Sequence, residues 1–259
     1  MTSSRGFGVA AGLDPEVAGP LANVCASLGY ASVWSNDIPG AKGLETLGAF
    51  AEAAPAIELG VTCAIDRHSP DEIAADVERL GLDPGRLWLG VGAGHSERPL
   101  TTMREALPRY REALPGFRIL LAGMGPKMCA LAGSEYDGAF LNWMTPDFAA
   151  KARADVERGA ADAGREPPPV FGYVRTAVGA DAGERLVKEE SFYRDYHDGY
   201  RKHFARLGEP VGTVGVAAAD RDEAQTQLAG YEALDVTVVR ALASATVEAM
   251  TRLAEAAAP

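Results

Sequence analysis

The sequence predicts a (β/α)8 barrel, one domain over residues 1–259. Three observations carry this. Strand and helix signals alternate along the whole chain, eight such units fit within its length, and no linker or low-complexity block divides it. An open doubly wound sheet is the alternative. It would place a glycine-rich turn after the first strand, where Ala10-Ala11-Gly12-Leu13 is a poor fingerprint.

Taken in order, residues 6–11 read as the first strand. Asp14-Pro15-Glu16 then caps a helix to about Leu28, with Asp as cap and Pro at the first helical position. Residues 31–34 form a strand and 44–54 a helix. Residues 57–65 are a β-branched strand. Ser69-Pro70-Asp71-Glu72 is a capping box, followed by an apolar stripe at Ile73, Val77 and Leu80. Residues 87–91 are the fourth strand. The helix after it covers about 100–114, and Pro108 interrupts its pattern. Residues 119–121 and 139–141 are strands five and six, around a helix opening at Pro126-Lys127. Thr145-Pro146-Asp147 caps a helix to about Ala163. Pro167-Pro168-Pro169 leads stiffly into strand seven, 170–178. The polar, aromatic stretch 184–207 reads as helical, and 211–217 as either a short strand or an ordered loop. A helix over 220–234, a strand over 236–240 and a helix over 245–257 complete the pattern.

The most informative segment is 117–143. An apolar strand runs into Ala122-Gly123-Met124-Gly125, and a helix opens at Pro126-Lys127. The glycines permit close backbone approach. The free N–H groups of the first helical turn, with Lys127 beside them, favour an anion such as a phosphorylated cofactor.

Composition bounds the function. Apolar residues make up 47 %, enough for a full core, and the net charge of −11 disfavours nucleic acid and anionic membranes as partners. No stretch has the ~20 apolar residues of a membrane span, and none reads as a signal peptide. Cys25, Cys63 and Cys129 are widely spaced, which argues for a reducing compartment and against zinc. The expectation is a cytoplasmic protein that binds no metal. His-x-His, His-Glu-x-x-His and Gly-x-Ser-x-Gly are absent, and no lysine lies mid-strand. A metal hydrolase, a serine hydrolase and a Schiff-base aldolase are therefore poorly supported.

In a barrel, the C-terminal strand ends and the loops after them build the active site. They deliver Trp34 to Asp37, Thr62 to His68, Gly92-Ala93-Gly94-His95, Gly123 to Lys127, Asn142-Trp143, Tyr173, Arg175 and Arg240. Trp34 and Trp143 read equally as core aromatics or as substrate wall. Arg175 and Arg240 lie within apolar strands, where a charge is costly unless paired. A structural ion pair and a substrate contact account for them equally. His68 reads as a structural hydrogen bond. His197 and His203 read as solvated.

Several pieces, in order and spacing, resemble the bacterial luciferase-like monooxygenase family of F420- and flavin-dependent barrels. They are Ser32-Val33-Trp34-Ser35-Asn36-Asp37, Leu59-Gly60-Val61-Thr62, Arg67-His68-Ser69-Pro70, Leu89-Gly90-Val91-Gly92-Ala93-Gly94, and Ala122-Gly123-Met124-Gly125-Pro126-Lys127-Met128 with Leu131-Ala132-Gly133 and Asp137-Gly138. The resemblance covers roughly residues 6–242 and implies a short variant with reduced insertions, its pocket open or completed by a partner subunit. It implies a cofactor over the C-terminal face, backed at Thr62-Cys63 by a bulge with a non-proline cis peptide. Gly92, Ala93, Gly94 and Asn142 would meet the ring's polar edge. Ala122, Gly123, Met124, Gly125, Pro126 and Lys127 would hold the phosphate. Asp37 matches an acidic position near the ring in several F420-dependent members. Sugar-phosphate dehydrogenases of the family carry His after that Asp and Glu after the fourth-strand Gly. Here those positions are Ile38 and His95, which leaves His95 as the candidate catalytic proton donor. Trp34, Trp143, Tyr173 and Arg175 would line the substrate side.

The resemblance thus implies an F420-dependent oxidoreductase acting on a small molecule, the reading matched by an Ala-, Arg- and Gly-rich composition of the kind found in high-GC bacteria. The alternatives are an FMN-dependent monooxygenase fed by a partner reductase, and a catalytically silent flavin-binding barrel. A homodimer is the family habit.

Overall fold

Each strand of the ring pairs in parallel with its neighbours, as the alternating order of elements requires. The computed structural model describes residues 4–259. Its elements are β1 (Ser4–Ala10), α1 (Pro15–Ser27), β2 (Ser32–Asn36), α2 (Gly43–Ala53), β3 (Glu58–Ala64), α3 (Pro70–Arg79), β4 (Leu87–Gly92), α4 (Pro99–Ala113), β5 (Arg118–Ala122) and α5 (Pro126–Glu135). There follow β6 (Gly138–Asn142), α6 (Pro146–Asp162), β7 (Val170–Val178), α7 (Ala182–Tyr196), α8 (Asp198–Leu207), β8 (Val216–Ala218), α9 (Arg221–Ala229), β9 (Val236–Ala241) and α10 (Val247–Ala256). β1 through β7 pair in sequence, β7 pairs with β9, and β9 returns to β1. These eight strands close the (β/α)8 barrel that the alternation predicts. β8 stands outside the ring: β6 pairs with β7 over Val170 to Tyr173, and β8 pairs with it over Thr176 to Val178.

The helix starts follow from local chemistry. Asp14, Ser69, Thr145, Asp220 and Thr246 each accept a backbone N–H of the first turn. At Ser69 the capping box is complete: Ser69 N–H donates to Glu72 at 2.8 Å and Glu72 N–H donates to Ser69 Oγ at 3.2 Å. α4 continues through Pro108. The 184–207 stretch is two helices, broken at His197, whose extended backbone ends α7 and caps α8. The 211–217 segment resolves into a loop and β8.

Side-chain alternation divides the apolar residues into two layers. Trp34, Leu120, Phe140, Phe171, Tyr173 and Val238 fill the barrel interior. Their strand neighbours, such as Val33, Leu121, Leu141, Val174 and Val239, pack outward against the helices. α5 and α6 approach closely because Gly133 and Gly159 face each other's backbone. A Cβ on either would stand 2.0 Å from a carbonyl oxygen of the other helix.

Candidate active site

The interior alternation sets what stands at the top of the barrel. On β7, Phe171 and Tyr173 are followed two residues on by Arg175. On β9, Val238 is followed by Arg240; on β2, Trp34 by Asn36; on β6, Phe140 by Asn142. An apolar aromatic plug therefore carries a polar layer at its C-terminal end.

Asn36, Asn142 and Arg175 of that layer floor an open cleft of about 830 Å³, solvent at its mouth included, while Arg240 lines a separate groove. One wall is β3, β4 and β5, through Thr62, Cys63, Gly92, Gly94, Ala122, Gly123 and Met124. The facing wall is aromatic, through Phe140, Tyr173, Tyr193 and Tyr200. Tyr193 and Tyr200 come from α7 and α8, with ring centroids 5.0 Å apart. A small-residue wall opposite an aromatic wall suits a flat ring. Burial pushes the Tyr173 phenol up to about 12, so it stays protonated at neutral pH. Its buried hydroxyl has the Thr62 hydroxyl as a neighbour.

Arg175 donates to Asn142 Oδ1, and Asn142 Nδ2 donates to Tyr200 Oη at 3.2 Å. The Arg175 guanidinium lies 4.3 Å from the Trp143 ring centre. Trp143 has a left-handed backbone, φ 50°, which is rare for a residue with a large side chain. Its carbonyl accepts from His203 Nε2 at 2.5 Å, and its ring packs on Phe204 and Tyr193. The turn thus ties the end of β6 to both helices of the aromatic wall.

Two carboxylate–histidine pairs flank the mouth. Asp37 accepts the Gly43 N–H at 2.7 Å and pairs with His68 Nε2 at 2.7 Å. Asp66 accepts the His95 backbone N–H at 3.1 Å and lies 2.8 Å from His95 Nδ1. Burial pushes the Asp66 carboxyl up, but the hydrogen bonds from His95 outweigh it and hold it below the usual range. Gly94 makes this pair possible: its φ is +57°, and a Cβ would stand 2.2 Å from Asp66 Oδ1. The His95 ring lies 5.4 Å from that of His197, which lines the cleft. Burial and the nearby charges of His95 and Arg201 hold His197 below the ordinary histidine range.

At the far edge, α5 starts at Gly125 with no side-chain cap. Its first-turn N–H groups are left for a ligand or water. Lys127 is exposed beside it, and the Arg206 guanidinium stands 3.5 Å from where a Cβ on Gly125 would lie.

The sequence profile described as luciferase-like monooxygenase matches residues 104–256, more than half of the chain. The chain belongs to the luciferase-like monooxygenase family. No curated protein sequence matches it. Among solved structures, an F420-dependent secondary alcohol dehydrogenase in complex with an F420-acetone adduct overlays with a TM-score of 0.73 at 18 % identity, covering 99 % of both chains. The coenzyme F420-dependent tetrahydromethanopterin reductase of Methanopyrus kandleri gives 0.74 at 16 % identity, covering 98 % of this chain and 97 % of that one. The FMN-bound oxygenating constituent of 3,6-diketocamphane monooxygenase from Pseudomonas putida gives 0.68 at 14 % identity, covering 100 % and 99 %.

Within this luciferase-like barrel, the cleft brings together Asp37, Thr62, Cys63, Gly92, Gly94, Ala122, Gly123, Met124, Asn142, Tyr173 and Arg175. It leaves out several other expected residues. Trp34 is fully buried in the barrel interior, its ring centre 4.9 Å from Phe140, with its N–H donated to Ser32 Oγ. It supports the floor and does not line the cleft. Trp143 is likewise buried, beneath Arg175. Ala93 and His95 stand at the rim, and Gly125, Pro126 and Lys127 lie beyond the cleft wall. The luciferase-like family's cis peptide is not found at Thr62-Cys63: the described residues hold no cis bond, and β3 pairs regularly with β4 through Ala64. His203, read as solvated, is fully buried between Trp143 and Phe148. His197, read the same way, lines the cleft. Among the described residues neither Arg175 nor Arg240 has the carboxylate partner that a structural ion pair would need; each is held by an asparagine.

Tyr193, His197 and Tyr200 are lining residues that the sequence reading did not place there, whereas Asn36 and Arg67 were expected at the catalytic face but given no role. The aromatic run in 192–200 signalled a buried face, but nothing local tells which face of α7 or α8 meets the barrel.

Proposed function

We propose that this chain is an F420-dependent oxidoreductase that transfers hydride between reduced deazaflavin and a small organic substrate. The carrying observation is the cleft itself: a small-residue wall facing an aromatic one, leading to the uncapped start of α5. Its residues fit a flat ring with an attached phosphate, and the Tyr173 hydroxyl in the cleft lining gives such a ring a donor. Bound F420 would supply a hydride carrier that does not activate oxygen as flavin does.

Thr62 and Cys63 would back the ring, with Gly92, Gly94 and Asn142 at its polar edge. Ala122 to Lys127 would hold the phosphate at the start of α5, with Arg206 adding charge. Asp37, fixed by His68 and the Gly43 N–H, stands at the acidic position that several F420-dependent relatives share. His95, oriented by Asp66, would hold a proton at the mouth, and His197 would carry it to the substrate side. The two F420-dependent neighbours support this choice, since both overlay more closely than the FMN-bound one.

The second reading is an FMN-dependent monooxygenase served by a partner reductase. The same phosphate turn and the FMN-bound neighbour favour it. Parallel fluorescence titrations of the purified chain with F420 and with FMN separate the two. Tight F420 binding with weak FMN binding is expected, and the reverse preference would transfer the assignment to the monooxygenase. A chain that takes up neither would lack the phosphate site inferred at α5.

A further inference from the structure

Arg175 and Arg240 are register partners on β7 and β9, both facing the barrel axis. They are 2 % and 6 % exposed. Guanidinium groups stay charged in proteins, so two like charges stand side by side at the top of the barrel. Burial and the charge of Arg175 both lower the pKa of Arg240. Among the described residues no carboxylate forms an ion pair with either arginine. Glu189 acts on Arg240 only at a distance, from the groove on its other side.

What holds them is neutral. Arg175 donates to Asn142 Oδ1. Arg240 donates from Nε to Asn36 Oδ1 and from Nη1 to Ala241 O, both at 2.9 Å. An asparagine orients a guanidinium without cancelling its charge. Arg175 Nε is buried and has no partner at all. Such a charge is costly unless something else neutralises it.

We propose that Arg175, with Arg240 behind it, is an anion seat, and that the natural substrate carries a carboxylate that docks on Arg175. This rests on the redox reading for the word substrate, but not for the seat. The shared chemistry is a small oxyanion, which a substrate carboxylate or a cofactor phosphate could supply. The uncapped start of α5, at the far edge of the cleft, already suits the phosphate, so the seat on β7 is left to the substrate. A planar guanidinium fork matches a carboxylate with two parallel hydrogen bonds. Phe140, Tyr173 and Tyr200 around it favour a flat, unsaturated carbon skeleton.

The test is calorimetric titration of the full chain with benzoate and with its uncharged counterpart benzamide, at low chloride, with and without bound cofactor. Benzoate is expected to bind at least tenfold more tightly than benzamide. Arg175→Met should remove that preference. Asn142→Asp keeps the arginine and the side-chain shape but supplies the missing negative charge. It should also remove the preference, while melting at or above the wild-type temperature, and it serves if Arg175→Met does not fold. Equal binding of the two probes, or a preference that survives Asn142→Asp, overturns the proposal. So does exclusion of benzoate by bound cofactor, which would give Arg175 to the cofactor's phosphate. Arginine-dependent benzoate binding by a chain that takes neither F420 nor FMN would keep the seat and end the redox reading. Cofactor binding without a benzoate preference would do the reverse.

Discussion

His203 shows burial turning a titratable side chain into a structural one. Its Nε2 must carry the proton to donate to Trp143 O, and burial pushes its pKa down to about 4. The sign follows directly. The folded pKa lies below the unfolded value of ~6.5, so the unfolded chain takes up the proton first as pH falls. The stability at stake is fully present above pH ~6.5, falls through the window down to about 4, and amounts to roughly 3 kcal/mol. Thermal melts from pH 7.5 to 4 should show a steeper loss for the wild type than for His203→Gln, which retains an N–H donor. Parallel curves would mean that His203 titrates normally. The same bond helps hold the left-handed Trp143, a conformation that costs ~1–3 kcal/mol by itself. None of this was legible in the sequence. The mix of polar and aromatic residues over 197–204 gives no local sign that His203, and not His197, turns inward.

At the scale of elements, the aromatic wall depends on one buried carboxylate. Glu190 of α7 is fully buried and receives Arg194 at 2.9 Å through Nε, the Gly212 N–H at 2.9 Å and the Val214 N–H at 3.2 Å. It fastens α7 to the loop that enters β8. Glu190→Ala strands the half-buried Arg194 guanidinium and two backbone donors, so it should cost roughly 2–4 kcal/mol in urea unfolding. Glu190→Gln, which retains an acceptor, should cost less. The α5–α6 contact is equally demanding. Gly133→Ala drives a methyl into Val156 O and should destabilise the chain by ~1–3 kcal/mol. It should also weaken cofactor binding at the start of α5, to be read in the same fluorescence titration; unchanged affinity would separate that turn from the helix packing. The capped helices were readable because Asp14, Ser69 and Thr145 act on their own first turns. The break at His197 was not, because its ring packs against that of His95, far away in sequence.

For the whole molecule, the barrel was legible because its strands announce themselves by local apolar runs and their order leaves few ways to pair. The candidate site was legible where it is backbone, as at Gly92, Gly94 and Gly123, and much less where long side chains choose a direction. Trp34 illustrates the difference: strand position placed it near the top, but alternation turns it into the plug beneath the cleft. Trp34→Ala should therefore cost ~3–5 kcal/mol while changing cofactor affinity less than threefold in the folded protein. A large loss of affinity at unchanged stability would return Trp34 to the binding surface. The position of β8 has a wider consequence. β7 meets β9 directly, so the eight-stranded ring is complete without residues 179–218. Yet this excursion supplies Tyr193, His197 and Tyr200. Under the proposed function, the part of the molecule assigned to the substrate side is thus a replaceable panel clipped to a finished frame, free to change in sequence while the side assigned to the cofactor keeps its scaffold.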